Sequence, residues 1–361
     1  MKPDTDRLVS LDAFRGATIA AMILVNNPGD GDHVYWPLDH APWNGWTPTD
    51  LVFPFFLFMV GMSLTLSRRQ EAGPAMARAA RLIGLGLFMA GFPYFHLSTL
   101  RWPGVLTRIG LCYLAAWAVK RTLQVRGQVV LAALLLLGDW YLMTRVSGPE
   151  GPPSLDVGTN LAAQVDRVVL TGHMWKQTKT WDPEGLLSTL PAIATTVLGL
   201  LAGEWLRSRR DGNAKTAGFL GAGLALVGAG LLLDGTFPIN KNLWTSSYVL
   251  FTGGMAAYLF GLTYWVVDVR GHRAWTRPFV VYGRNAIAVF VGSGLLARLL
   301  SLIKWPGPGG TTVSLQERIY DTFFVPWASP INASLAFALA TIAFWYLVLL
   351  SMDRRGIYLK V

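Results

Sequence analysis

His40 stands in the run His40-Ala-Pro-Trp43-Asn44-Gly45-Trp46, ahead of Asp50 and the apolar stretch Leu51 to Val60. A neutral imidazole is the side chain best suited to take or give a proton near neutral pH, or to attack as a nucleophile. Asp39 and Asp50 are near enough in sequence to fix its tautomer and raise its basicity. A loop histidine is ordinarily a solvated surface residue, and His33, His96, His173 and His272 are read that way. At His40 the surrounding Trp, Asn and Asp residues leave both readings open on the residues alone.

Other polar groups need a reason because they lie within or beside apolar stretches, where a charge costs about 2.5–3.5 kcal/mol unless paired or solvated. Asp12 and Arg15 are three residues apart, share a helix face and either pair with each other or meet a polar ligand. Asn26 and Asn27 close the same apolar stretch. Arg108 lies inside another and calls for an anion: a carboxylate or a ligand phosphate. Asp182 and Glu184 precede a further stretch, where acidic groups favour a helix N-terminus. Asn240, Lys241 and Asn242 form either a solvated turn or three hydrogen-bonding groups suited to a sugar, and Arg284 and Asn285 interrupt the ninth stretch. Trp43, Trp46, Trp102, Trp181 and Trp244 suit an interfacial belt or the stacking of sugar faces. No His-x-x-x-His pair, cysteine pair, Walker loop or dinucleotide fingerprint occurs, so no metal is expected.

The elements that must position these residues follow from composition. The 361 residues are 52% hydrophobic and only 14% charged, against roughly 25% in a soluble domain. An all-α polytopic membrane protein is expected, forming a single transmembrane domain over residues 1–361. Ten segments are apolar enough for spans of about 20 residues, near 11–27, 47–66, 80–95, 103–119, 128–146, 185–206, 217–234, 244–266, 278–303 and 331–351. Ile319 to Ala328 is too short to span and is expected at the interface or re-entering. The net charge of +10 reflects basic residues gathered at the termini and alternate loops, among them Lys2, Arg7, Arg68, Arg69, Arg209, Arg210 and Lys360, rather than a nucleic-acid surface. By the positive-inside rule both termini are cytoplasmic. The loops at 28–46 and 147–184 then face the other side; the former has three Asp, two His and no Lys or Arg. Cys112 is the single cysteine, so an intramolecular disulfide is excluded, and the polar N-terminus gives no sign of a cleaved signal peptide.

Several blocks taken together resemble the heparan-α-glucosaminide N-acetyltransferase family: Ser10 to Gly16, Val25-Asn26, His40 to Gly45, Asp50 to Pro54, Phe58 to Gly61, Pro103 to Gly110, Asp182 to Gly185, Pro238 to Tyr248 and Val267-Asp268-Val269. Their order is kept across most of the chain, and the histidine and Asn-Lys-Asn-Leu-Trp blocks are specific. The resemblance implies acetyl transfer from cytosolic acetyl-CoA to a glucosamine amine on the opposite side, with His40 matching the active-site histidine and Asn26 and Asp50 matching polar residues near it. The sequence given has no counterpart to the family's luminal N-terminal domain, the span after it or its luminal cysteines. It is similar in this to the shorter bacterial members, for which an envelope amino sugar is a more sensible acceptor than heparan sulfate.

The expectation is therefore a multi-pass enzyme of a bacterial inner membrane, with an amino-sugar or glycan acceptor, the lipid bilayer as its surroundings and a homodimer as its assembly. His40 acts as general base or as acyl carrier, with Asn26 and Asp50 as its catalytic partners. Arg15, Arg108, Arg270, Arg284 and Asn285 are the candidates for holding acetyl-CoA; Trp43, Asn44, Glu184, Asn240, Lys241 and Asn242 are those for the acceptor. The rival reading is a transporter or flippase for an amino sugar or lipid-linked glycan, in which His40 is dispensable; an envelope scaffold ranks third.

Overall fold

In a computed structural model, residues 8–67, 71–306 and 311–359 are described; Lys2, Arg7, Arg68, Arg69 and Lys360 lie outside them. The described chain is built from helices. In order they are α1 (Val9–Asn26), α2 (Val52–Leu66), α3 (Ala72–Gly91), α4 (Val105–Thr122), α5 (Val125–Arg145), α6 (Leu161–Val169), α7 (Leu186–Arg207), α8 (Gly212–Asp234), α9 (Ser246–Tyr264), α10 (Arg277–Arg284), α11 (Ala286–Leu302), α12 (Leu315–Phe323) and α13 (Pro330–Arg354). A short antiparallel pair, β1 (Lys304–Pro306) and β2 (Thr312–Ser314), precedes α12.

Each of the ten apolar segments coincides with a helix or, near 278–303, with a pair. Among the described residues seven are long and apolar enough to cross a membrane, and the pair Ala274–Arg284 and Ala286–Leu302, bent by 67°, is either an eighth span, broken at Asn285, or a re-entrant loop. The other two, α3 and α4, have the length but carry Arg78 and Arg81, and Arg108, Lys120 and Arg121. Leu134 and Leu137 of α5, Leu231 and Leu232 of α8, and Phe344 and Leu347 of α13 are exposed. Water would oppose such faces and hydrocarbon covers them at no cost, so this is an all-α polytopic membrane protein. The segment at Ile319 to Ala328 becomes the end of α12 and a 3-10 turn, Val325–Trp327, with Phe323, Val325 and Trp327 exposed.

The chain falls into two compact units. The first comprises Met1–His40, Thr47–Val52 and Val266–Lys360. Within it α1 packs on α10 so closely that a Cβ on Gly16 would overlap the Phe279 carbonyl, and one on Gly283 the Asp12 carbonyl. Small residues serve helix pairs in membranes this way, by letting backbones approach. The Ser10 amide donates to Asp268 Oδ2 at 3.1 Å, satisfying one of the orphan donors at the start of α1.

The second unit comprises Ala41–Trp46 and Phe53–Trp265. Here Gly223 and Gly254 meet across α8 and α9, and Gly61 and Gly199 across α2 and α7, in each case with no room for a Cβ. The long segment at 147–184 folds around α6, whose Arg167 donates to both Glu150 oxygens and to the Gly158 carbonyl.

Candidate active site

The local sequence Thr47-Pro48-Thr49-Asp50 builds the first unit's candidate site. Pro48 opens the 3-10 turn Pro48–Leu51 with φ already set and no amide hydrogen to lose, and Thr47 and Asp50 form a capping box ahead of α2. The Thr47 amide donates to Asp50 Oδ2 at 3.0 Å, and the Thr47 hydroxyl lies 2.5 Å from the Asp39 carbonyl and 3.2 Å from the same Asp50 oxygen. The other carboxylate oxygen, Oδ1, lies 2.7 Å from His40 Nδ1. Asp50 is 1% exposed, whereas the imidazole is half exposed. An ionised carboxylate accepts hydrogen bonds and cannot donate, so this geometry puts the proton on Nδ1 and makes Nε2 the basic nitrogen. The His40 amide donates to Asp39 Oδ1 at 2.8 Å, a local bond at the histidine's own backbone.

The other expected residues of this unit are placed as follows. Asn26 is the last residue of α1 and exposed. Arg15 donates to Asp12 at 3.2 Å, the pairing anticipated from their spacing. Arg270 is exposed after the π turn Trp265–Val269 that follows α9. Arg284 donates to Asp353 at 3.0 Å, and Asn285 exchanges hydrogen bonds with the C-terminal segment, giving one to the Ile357 carbonyl and taking one from the Leu359 amide. Both side chains at the α10–α11 break therefore hold the end of the chain.

In the second unit Asn240 is fully buried and donates to Asn44 Oδ1 at 3.0 Å, while its own Oδ1 accepts from the Leu243 amide. The Gly45 amide, at φ 94°, donates to the Ile239 carbonyl beside them. The two sugar-binding candidates are thus joined, with Lys241 and Asn242 half-buried in the following turn. Trp43 donates to the Leu155 carbonyl and packs edge-on against Trp181 at 5.2 Å. Glu184 and Asp182 are both held by Arg101, which the sequence did not single out. Burial pulls the Arg101 guanidinium down, but those two carboxylates more than offset it and raise its affinity for its proton.

The start of α7 was expected to be capped by Asp182 and Glu184; the carboxylate that meets its first turn is instead that of Asp166 from α6, through the Leu186 amide at 3.0 Å. Asp166 Oδ2 also accepts from the Asp182 amide at 3.2 Å. Burial pushes the Asp166 carboxyl up to about 6, against these amides, which pull it down. Arg108 is 1% exposed and lies over the Trp244 ring at 5.0 Å. Among the described residues no group of three or more His, Cys, Asp or Glu side chains is placed to hold a metal.

The profile of the family described as "Heparan-alpha-glucosaminide N-acetyltransferase, catalytic" matches residues 7–233. The chain is 29% identical to the heparan-alpha-glucosaminide N-acetyltransferase of Mus musculus over 362 residues, covering 82% of this chain and 54% of that protein. It is 30% identical to the protein of that name from Homo sapiens over 356 residues, covering 79% of this chain and 52% of the relative. The chain thus spans about half the length of the curated relatives it matches. The matched region holds the His40–Asp50 pair, Arg108 and the Asn44 side of the amide pair, and by that match the chain belongs to the heparan-α-glucosaminide N-acetyltransferase catalytic family.

Proposed function

We propose that the protein is a transmembrane N-acetyltransferase that moves the acetyl group of acetyl-CoA to the amine of an amino sugar. The observation that carries this reading is the hydrogen bond between His40 Nδ1 and a carboxylate buried at 1% exposure, in a chain of this family. It supports Nε2 as a general base. As the amine nitrogen bonds to the thioester carbon, Nε2 takes the amine's proton; the C–S bond breaks, and the departing thiolate takes a proton to leave as free CoA. The imidazolium is stabilised by Asp50 until it returns its proton. In the alternative course Nε2 attacks the thioester and carries the acetyl group before the amine removes it.

The proposal includes a bacterial inner-membrane location with both termini cytoplasmic, a single functional domain over 1–361 and assembly as a homodimer. Asn26 is assigned to the forming oxyanion, and Arg15 and Arg270 to the nucleotide end of CoA. Arg284 and Asn285 would join them only by exchanging their present partners, Asp353 and the C-terminal segment. Trp43, Asn44, Glu184, Asn240, Lys241 and Asn242 stand as acceptor-binding residues.

The test is acetyl transfer by the purified full chain, with labelled acetyl-CoA and a panel of glucosamine acceptors, beside His40→Ala. Loss of a general base or acyl carrier predicts a fall of about 10²–10⁴-fold or more in the variant. Label retained on wild-type protein without acceptor selects the acyl-histidine course. A wild type that neither binds nor turns over acetyl-CoA defeats the proposal in favour of transport.

A further inference from the structure

Arg108 is the most deeply buried cation among the described residues, and the carboxylates around it act on it only at longer range. Only Nη2 is engaged, donating to Ser188 Oγ at 2.5 Å and to the Gly185 carbonyl at 3.2 Å. Nε and Nη1 are buried and have no hydrogen-bond partner. Among the described residues no carboxylate reaches ion-pair distance: Asp182 and Glu184 are held by Arg101, and Asp166 is turned to the start of α7. A buried guanidinium left in this state is strongly disfavoured unless something supplies acceptors.

The elements around it add to the same field. Arg108 is in the first turn of α4; Gly185 and Ser188 open α7; Trp244, whose ring it covers, directly precedes the N-cap of α9. Helix N-termini carry partial positive charge and favour an anion or a strong acceptor. The nearby carboxylates of Asp166, Asp182 and Glu184 limit what charge can enter and count against a dianionic phosphate. We propose that Arg108 and the N-termini of α4 and α7, roofed by Trp244, form a buried receptor for one planar oxygen-acceptor group, a carboxylate or an acyl carbonyl. The carbonyl source rests on the transferase reading; the carboxylate source does not.

Ser188 Oγ also donates to the Gly185 carbonyl, which accepts from Thr189 as well, so removing Arg108 orphans neither group. This gives the test its sign. Thermal midpoints of the detergent-purified full chain are measured with sodium acetate, sodium glucuronate, acetyl-CoA and CoA, against sodium chloride. Wild type should be raised by at least one probe. In Arg108→Met the ligand-free midpoint should equal or exceed that of wild type, and the probe's shift should vanish. A response to acetyl-CoA beyond that to CoA assigns the carbonyl; a response to acetate or glucuronate assigns the carboxylate. A shift fully kept in Arg108→Met, or no shift in wild type with any probe, overturns the site. Should Arg108→Met be poorly folded, Arg108→Lys decides: it keeps the charge but not the fork, so the responding probe should bind roughly tenfold or more weaker, and unchanged affinity overturns the proposal. Acetyl transfer measured in parallel separates the two readings: a transferring wild type without an Arg108-dependent shift defeats only this site, and an Arg108-dependent acetate shift without transfer defeats only the transferase.

Discussion

Asp50 shapes His40 in two ways that a substitution can separate. Its Oδ2 receives the Thr47 amide while its Oδ1 meets the imidazole. In Asp50→Asn the side-chain oxygen can keep the Thr47 amide, which turns the new NH₂ toward His40 Nδ1. Nδ1 must then accept, the proton moves to Nε2 and the basic nitrogen is lost. Acetyl transfer should fall by about 10²–10⁴-fold with the fold intact, following the general behaviour of histidine bases deprived of their carboxylate. Because the two residues act as a unit, the double variant with His40→Ala should be no slower than His40→Ala alone. Steady-state rates of the three proteins check this, and additive losses would show that Asp50 acts elsewhere. Both residues of the pair were legible in the sequence, and so was the signal for Thr47, a Thr three residues ahead of an Asp. The orphaned donors of Arg108 were not legible. The sequence shows a charge in an apolar stretch, but only the fold shows that every nearby carboxylate is already engaged.

At the scale of the element, the start of α7 depends on a side chain from another helix. Asp166 accepts from the Leu186 amide yet is held up to about 6 by burial. A carboxyl raised above its ordinary value of 3.8 binds its proton more tightly in the folded chain than in the unfolded one. Its contribution to stability is therefore complete below about pH 3.8 and is lost as the pH rises through about 6. Asp166→Asn keeps an oxygen for Leu186 without the titration, so its thermal midpoint should vary less between pH 4 and 7 than that of wild type. Parallel curves for the two proteins would count against this account. The long apolar helices came through from runs of about 20 apolar residues, because that pattern is local. The partners of α7 did not: Arg101 and Asp182 are 81 residues apart, and Asp166 and Leu186 are 20 apart, on different elements. The same limit applies to Arg284 and Asn285, whose partners belong to the chain's last turn and tail.

At the scale of the molecule, the proposed topology is directly testable because the single cysteine, Cys112, is fully buried. A membrane-impermeant maleimide should leave wild type unlabelled. Asp32→Cys, in the exposed loop before His40, should then be labelled on intact spheroplasts, and Arg355→Cys, after α13, only once the membrane is opened. The reverse pattern would invert the protein in the bilayer and place His40 on the cytoplasmic side.

The first unit joins the two ends of the chain, and this sets a schedule for its assembly. The Ser10 amide and the Asp268 carboxylate that receives it are separated by 258 residues. At about 5–20 residues per second, synthesis takes roughly 13 to 50 seconds to bring the second to the first. During that interval α1 is in or near the lipid without α10, α11 or α13 to pack against. The pairing of Arg15 with Asp12, only three residues away, is available from the moment the helix forms. What looks in the finished protein like a minor ion pair is the one charge compensation α1 carries with it while it waits for the rest of its unit to be made.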